Sequence, residues 1–472
     1  MRLFILSMLF ISSVSAQHVA VTNTFSNNTT ADATDINQNF SDIVTGVNDK
    51  MRVDSANANV VLGNGLISNS PDTDSAAGAD SGRFQVAVGW NSLLSNTAGG
   101  DNTAIGAFSM YSNTVGHQNV AVGNSALQGN TSGENNTALG AHALRYNVVG
   151  SNNTAVGSEA LNNNEGTNNT AIGSQALYYN TAGQNNTAIG VVALPHNTTG
   201  SQNTATGRSA LYGNTSGGEN TANGYRALAF NTEGWGNTAI GSNTMYNNTT
   251  GRANTASGKL ALYANTTGTM NTASGFEAML NNTSGQQNVA VGVGTLTANT
   301  TGDLNTAIGN GALYTVTTGF GNTGVGDSAG GGVTEGSSNT FIGQYTGTTV
   351  ENLSNSSALG ASAQVSENNT IQLGNLSITK VNTSGKLTTG AVTYPNAHGT
   401  PGQVLGTNGS GELVWLNAYQ ILASRNHELE EQVASLQEQL QSQQKKLLAL
   451  VHSQQEQIAQ LHRMVEHQFA LN

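Results

Sequence analysis

The sequence predicts a mainly β protein: a parallel β-roll or β-solenoid of about sixteen 17-residue coils, then a small β connector and an α-helical coiled coil. Three observations predict it. A glycine recurs at a 17-residue step over more than half of the chain. Each coil carries an Asn and a Leu or Met at constant distances from that glycine. Glycine then vanishes after Ala418, where a leucine heptad begins.

Composition excludes the ordinary alternatives. A chain of 472 residues suggests about three ordinary domains on length alone. Yet it has 58 glycines, no cysteine and only 9% charged residues, with Asn and Thr in great excess. Low charge with a strict period argues against disorder, which usually carries high net charge and no register. The net charge of −12 shows no basic cluster. Nucleic acid is therefore not expected as a partner, since phosphate neutralisation needs clustered Lys or Arg. Without cysteine, disulfides cannot staple an exported fold.

Residues 1–16 read as a signal peptide: Arg2, the apolar run Leu3 to Ile11, and the small-residue ending Val14-Ser15-Ala16, with cleavage after Ala16. The apolar run is well short of the roughly 20 residues that a spanning helix needs. Residues 17–84 form an N-terminal cap region. Within it Ile36, Phe40, Ile43 and Val47 stand at helical spacing, so a short amphipathic helix over 31–47 is expected to cap the first coil or join a partner.

Residues 85–375 are the repetitive shaft. The glycine after Asn-Thr-Ala-Ile/Val falls at Gly89, Gly106 and Gly123 and so on to Gly360, every step being 17 residues except a step of 16 from Gly157 to Gly173. Asn stands four before the glycine from Asn102 to Asn339, so stacked coils can bond amide to amide along a ladder. Leu or Met stands four after it from Leu93 to Leu313, a column that can bury a continuous apolar seam. Ala usually precedes that residue, as at Ala126 and Ala143. Two glycines per coil, such as Gly190 and Gly200, mark corners that need positive φ or close packing. The 16-residue unit is expected to lose its residue in the turn before Gly166. Few large apolar residues per coil imply a thin interior, and hence a chain that is better stabilised packed with two copies of itself. The residue before the first glycine is usually Ile or Val but is Thr206, Asn223, Ser257 and Ser274 mid-stack; these face either a core, with water or an ion as partner, or solvent.

Residues 376–417 read as short strands with Gly-rich turns, a compact β connector. Residues 418–472 carry a heptad seam: Leu422, Asn426, Leu429, Val433, Leu436, Leu440, Gln443, Leu447 and Leu450, passing at Leu447 to a second seam through Val451, Gln454, Ile458, Leu461 and Val465. Consecutive four-residue steps there are a stutter, which locally unwinds a supercoil. Such a helix needs partners, either other copies or the shaft itself.

The coil motif Asn-Thr-Ala-Ile-Gly with its second Gly-containing turn resembles the head repeats of trimeric autotransporter adhesins, over about Gln85 to Gly360, in a longer 17-residue variant. The connector around Thr393-Tyr394-Pro395 and Gly402-Gln403-Val404-Leu405 is similar to the segment preceding the chaperone in trimeric tail fibres. The resemblance implies a left-handed, homotrimeric β-roll and an adhesive function, through the solenoid surface or its N-terminal tip, toward a surface glycan or protein. With the signal peptide it implies a secreted or cell-surface protein of a Gram-negative bacterium. The family's membrane-anchor strands are not matched by Val465 to Asn472, which read as a polar coil.

No catalytic, cofactor or metal residues are expected, and the chain reads as a non-enzyme. It has no Walker loop, zinc spacing or nucleophile elbow. His117, His142 and His196 occupy different variable slots and read as solvated turn residues. The coils offer no recurring carboxylate pair for glycan cleavage, and no calcium-roll pattern. The many Asn-x-Thr triplets reflect the ladder more simply than glycosylation. One rival function stands beside adhesion: Thr187, Thr204, Thr221 and Thr238 stack into a column that could bind ice, although such a lattice is expected to need two Thr per strand.

Overall fold

The computed structural model describes residues 51–54, 59–62, 84–382, 387–389, 392–394, 399–407 and 413–470. The expected signal peptide and the helix over 31–47 lie outside them. The chain divides into two units, 1–377 and 378–472.

The first unit is a parallel β-solenoid. Strands β1 (Met51–Asp54) and β2 (Asn59–Leu62) form an antiparallel hairpin, and β2 pairs in parallel with β3 (Val86–Val88). From there each coil adds one three-residue strand, from β4 (Thr103–Ile105) to β18 (Thr340–Ile342), all within one 20-stranded sheet. The register is residue on residue: Thr187 pairs with Thr204, Ala188 with Ala205 and Ile189 with Thr206. Constant spacing explains this, because a 17-residue period places the same slot directly above itself. Near the end a second short strand joins each coil, β19 (Gly347–Thr348) pairing with β21 (Gln364–Val365). The main sheet closes with β20 (Ser357–Leu359) and β22 (Ile371–Leu373).

The interior is completed within one chain. The Leu/Met column expected from the sequence is fully buried from Leu93 to Leu313. Two alanine columns flank it: the strand centre, as at Ala188, and the residue before Leu, as at Ala193. Two asparagine ladders fill the rest. In the expected one, the Asn119 amide nitrogen donates to Asn102 Oδ1 at 3.2 Å and to the Gly133 carbonyl at 2.8 Å, while the Asn119 backbone N–H also donates to Asn102 Oδ1 at 3.0 Å. The second stands seven after the first glycine: Asn113 Nδ2 donates to Asn96 Oδ1 at 2.7 Å and to the Gly116 carbonyl at 3.1 Å. A thin apolar core is thus supplemented by satisfied amides, which cost little to bury when every donor and acceptor is paired.

The two glycines of a coil serve different needs. Gly190 has φ +134°, and a Cβ there would stand 2.7 Å from the backbone of Gly207 in the next coil. Gly200 has no unusual φ, but its Cβ would collide with the Gly217 carbonyl and with Asn197 Oδ1. Left-handed backbone also falls on residues that are not glycine, including the buried Leu of each coil (Leu194, φ 52°; Leu211, φ 51°). That conformation costs about 1–3 kcal/mol per residue, and full burial of the side chain offsets a similar amount.

The 16-residue coil keeps the strand and asparagine columns aligned. Asn164 donates to Asn147 Oδ1 at 2.8 Å and accepts from Asn180 at 2.7 Å, and Thr154 pairs with Thr170. The missing residue lies between Asn164 and Gly166, two residues apart here and three elsewhere, as in Asn147 to Gly150. Toward the C-terminal end the core changes composition. Val316 and Val333 replace the second ladder's Asn. Gly324 and Gly330 replace Ala and Leu in one coil, where an added Cβ would overlap Leu313, and in the next coil Phe341 is fully buried at the alanine slot. Small-for-large exchange between neighbouring coils keeps the interior packed.

The second unit holds two antiparallel hairpins, β23 (Leu387–Thr389) with β24 (Val392–Tyr394) and β25 (Gln403–Thr407) with β26 (Leu413–Asn417). These are the expected connector strands. Strand β26 runs directly into helix α1 (Ala418–Phe469), whose N-cap Asn417 accepts the Tyr419 N–H at 2.9 Å. The seam residues Leu422, Leu429, Val433, Leu436 and Leu440 are all exposed on this single helix.

Candidate functional surfaces

A three-residue strand can bury only one face. In Thr187-Ala188-Ile189 the central Ala is inside, and Thr and Ile both point outward. The outward faces of successive strands therefore carry a Thr column beside an Ile/Val/Leu column. Ile105 is 38% exposed, Ile240 46% and Ile342 46%. Ile goes outward because the space between the strand and the Leu column admits only a methyl group.

Thr206, Asn223, Ser257 and Ser274 sit in that outward column, so none enters the interior of its own chain. Four of the five consecutive coils from Thr206 to Ser274 thus present a polar pair on this face, Ile240 alone being apolar. A second Thr column stands eight after the first glycine and is committed to the fold: Thr198 Oγ1 donates to the Thr215 carbonyl of the next coil at 2.9 Å, and Thr215 repeats the bond to Thr232.

The histidines are dispersed. His117 Nδ1 accepts the Gly100 N–H at 2.9 Å, an inter-coil rung. His142 is half-buried with left-handed backbone, and its Nδ1 has no hydrogen-bond partner. His196 lies between two tyrosine rings, 5.9 Å from that of Tyr179 and 4.9 Å from that of Tyr212. Among the described residues no three His, Cys, Asp or Glu side chains cluster as metal ligands, and no helix is long and apolar enough to cross a membrane.

A third surface was not singled out from the sequence: aromatic side chains on the segment just after the buried Leu. Tyr178 packs edge-on to Tyr179 at 4.5 Å. Two coils above His196, Phe230 meets Tyr246 at 4.9 Å, and Tyr246 stacks on Tyr263 at 5.3 Å with the ring planes 5° apart. Burial, and next the Glu159 carboxylate, hold the Tyr178 phenol above its ordinary pKa. The signal was present in the sequence as aromatic residues recurring five or six after the first glycine.

No family model and no curated protein sequence matches this chain.

Proposed function

We propose that this chain is an exported, non-enzymatic adhesive fibre, in which three copies pack through the outward sheet column and the C-terminal helices. The observation that carries the reading is that two separate apolar faces are left uncovered by one chain. One is the Ile/Val/Leu column of the shaft; the other is the Leu422 to Val465 seam of a helix exposed on every side. The shaft column is apolar on either side of the polar stretch from Thr206 to Ser274. Soluble monomers rarely leave apolar surface of that extent in water, and a helix of this kind gains its stability from partners. The likeness of the coil motif to trimeric adhesin heads supplies the number three and the adhesive role. Sedimentation velocity on the full chain is expected to give one species of three times the chain mass. A monomer at micromolar concentration would overturn the assembly.

A second reading is favoured by one observation. The strand Thr column points outward in register from Thr137 to Thr272, with hydroxyls on both outward slots in the coils of Thr206, Ser257 and Ser274. That is the arrangement an ice-binding face uses. Against it, most coils place Ile, Val or Leu on the second slot. Thermal hysteresis measured on the full chain separates the two, and its absence removes the ice-binding reading.

A further inference from the structure

The aromatic residues on the post-Leu segment form a track of two packed groups. In six successive coils, those beginning at Gly173, Gly190, Gly207, Gly224, Gly241 and Gly258, an aromatic ring or imidazole occupies the slot five or six after the glycine. They fall into two packed groups, Tyr178–Tyr179–His196–Tyr212 and Phe230–Tyr246–Tyr263. Backbone rungs fix their vertical order: the Tyr179 N–H donates to the Pro195 carbonyl at 2.9 Å, and the Phe230 N–H to the Tyr246 carbonyl at 3.0 Å.

The fold does not ask for these rings. The same slots hold Gln128 and Gly129, Asn162 and Asn163, and Thr297 and Ala298 in other coils, with the ladders unbroken. Tyr179, Tyr212 and Phe230 are exposed, and the residue beside several rings is small: Gly213 next to Tyr212, Ala229 next to Phe230, Ala264 next to Tyr263. The rings are therefore open on the outer side of the coil.

We infer that this track is a binding site for a linear, neutral polysaccharide lying along the solenoid axis. Three features select that ligand. The rings repeat at about the 4.8 Å rise of a stacked β-coil, giving a line of about 24 Å over six coils, which suits a polymer rather than a compact epitope. A protein interface concentrates its aromatic anchors in a central patch ringed by polar groups, and this surface has no such centre. The ring-bearing slots of these six coils carry no Lys or Arg, and the carboxylate nearest Tyr178 is Glu159, so neither an anionic glycan nor a single-stranded nucleic acid finds the line of cations it needs. Pyranose rings present apolar C–H faces that pack on aromatic faces. Their hydroxyls can bond to the Tyr hydroxyls, to His196 and to Asn247, since amphipathic rings offer both.

The site lies on a different segment of the coil from the outward sheet column. The inference rests on the adhesive reading, whose contact surface it names. The experiment is affinity electrophoresis of the full chain in gels cast with soluble neutral β-glucan, with pull-down on cellulose and chitin, compared with alginate as an anionic control. The test variants carry residues that occur naturally at these slots: Tyr179→Asn, His196→Asn and Tyr212→Gln together, and Phe230→Asn, Tyr246→Gln and Tyr263→Gln together. Circular dichroism and the melting curve check that both still fold.

The wild-type chain should be retarded by at least one neutral polysaccharide and not by alginate, and each triple variant should bind at least about tenfold more weakly. Failure of every neutral polysaccharide to retard the chain, or equal retardation of folded variants, overturns the assignment. Capture by protein-coated surfaces that the variants abolish also overturns it, in favour of a protein ligand. Adhesion of intact fibres that the variants leave unchanged rejects the track but leaves the adhesive reading standing. If the wild-type fibre adheres to no surface tested, the adhesive reading falls with it.

Discussion

Asn214 uses its whole amide inside the shaft. Its nitrogen donates to Asn197 Oδ1 at 2.8 Å and to the Gly217 carbonyl at 2.9 Å, and its oxygen accepts from Asn231 at 2.8 Å. Asn299, at the end of the same ladder, has a buried Oδ1 without a partner, because the next coil offers Val316. This difference gives a paired prediction. Asn214→Val strands a buried acceptor on Asn197 and a buried donor on Asn231, at about 1–3 kcal/mol each, so a loss of about 2–6 kcal/mol is expected. Asn299→Val only moves the ladder's end one coil down, exchanging its own unpaired oxygen for that of Asn282, and should stay within about 1 kcal/mol. Denaturant unfolding followed by circular dichroism measures both, and equal losses would discard the ladder account. The first ladder was legible because Asn recurs before the Thr of each strand. The second recurs with the same regularity, and a column search at every slot finds it. The left-handed Leu column was not legible, since local preference sends that backbone to Gly or Asn and only burial holds Leu there.

At the scale of the coil, register is the controlling quantity. Removing residues 187–203 excises one whole period and joins Asn186 to Thr204, so every column still stands on itself. That variant should keep its β signal and melt within a few degrees of the parent, with a shaft shorter by about 4.8 Å in electron micrographs. Deleting Ala188 alone moves Ile189 to the inward slot and reverses the strand's faces. It should lower the melting temperature markedly and open the neighbouring coils to hydrogen exchange. A mild phenotype for that single deletion would show that the strand does not set the register. The natural 16-residue coil is tolerated because its deletion falls between Asn164 and Gly166, in a turn, with Asn164 still in line. The β connector and the heptad helix were also legible, one from short strands punctuated by glycine, the other from steps of four and three. The hairpin β1–β2 that pairs onto the first coil was not, because its short strands lie outside the period.

Across the whole molecule, every polar side chain buried among the described residues is Asn, Gln, Ser or Thr. Stability changes with pH only where folded and unfolded states bind different numbers of protons, and a neutral interior gives them little reason to differ. The thermal midpoint is therefore expected to stay nearly constant from about pH 4 to pH 9. An acid-induced drop would reveal a carboxylate that the shaft depends on. Tyr178 is the exception: its folded pKa is raised, so its contribution is present below the ordinary phenol range and lost as pH rises through the folded value.

The sequence by itself determined that the shaft is a one-dimensional stack. A constant period puts identical residues one above another, so the asparagine ladder, the leucine column and the glycine corners can be read without knowing the path of the coil. Only the tertiary structure decided which side of the strand is inside. In Thr-Ala-Ile, alternation says that Thr and Ile share a face, and hydrophobicity alone would send Ile inward. The buried Leu of the same coil already fills the interior, so volume admits the alanine and turns Ile out. The aromatic track was decided the same way. Its residues are visible in the sequence, but their packing into two ring groups on one segment required the backbone rungs that place each coil above the last.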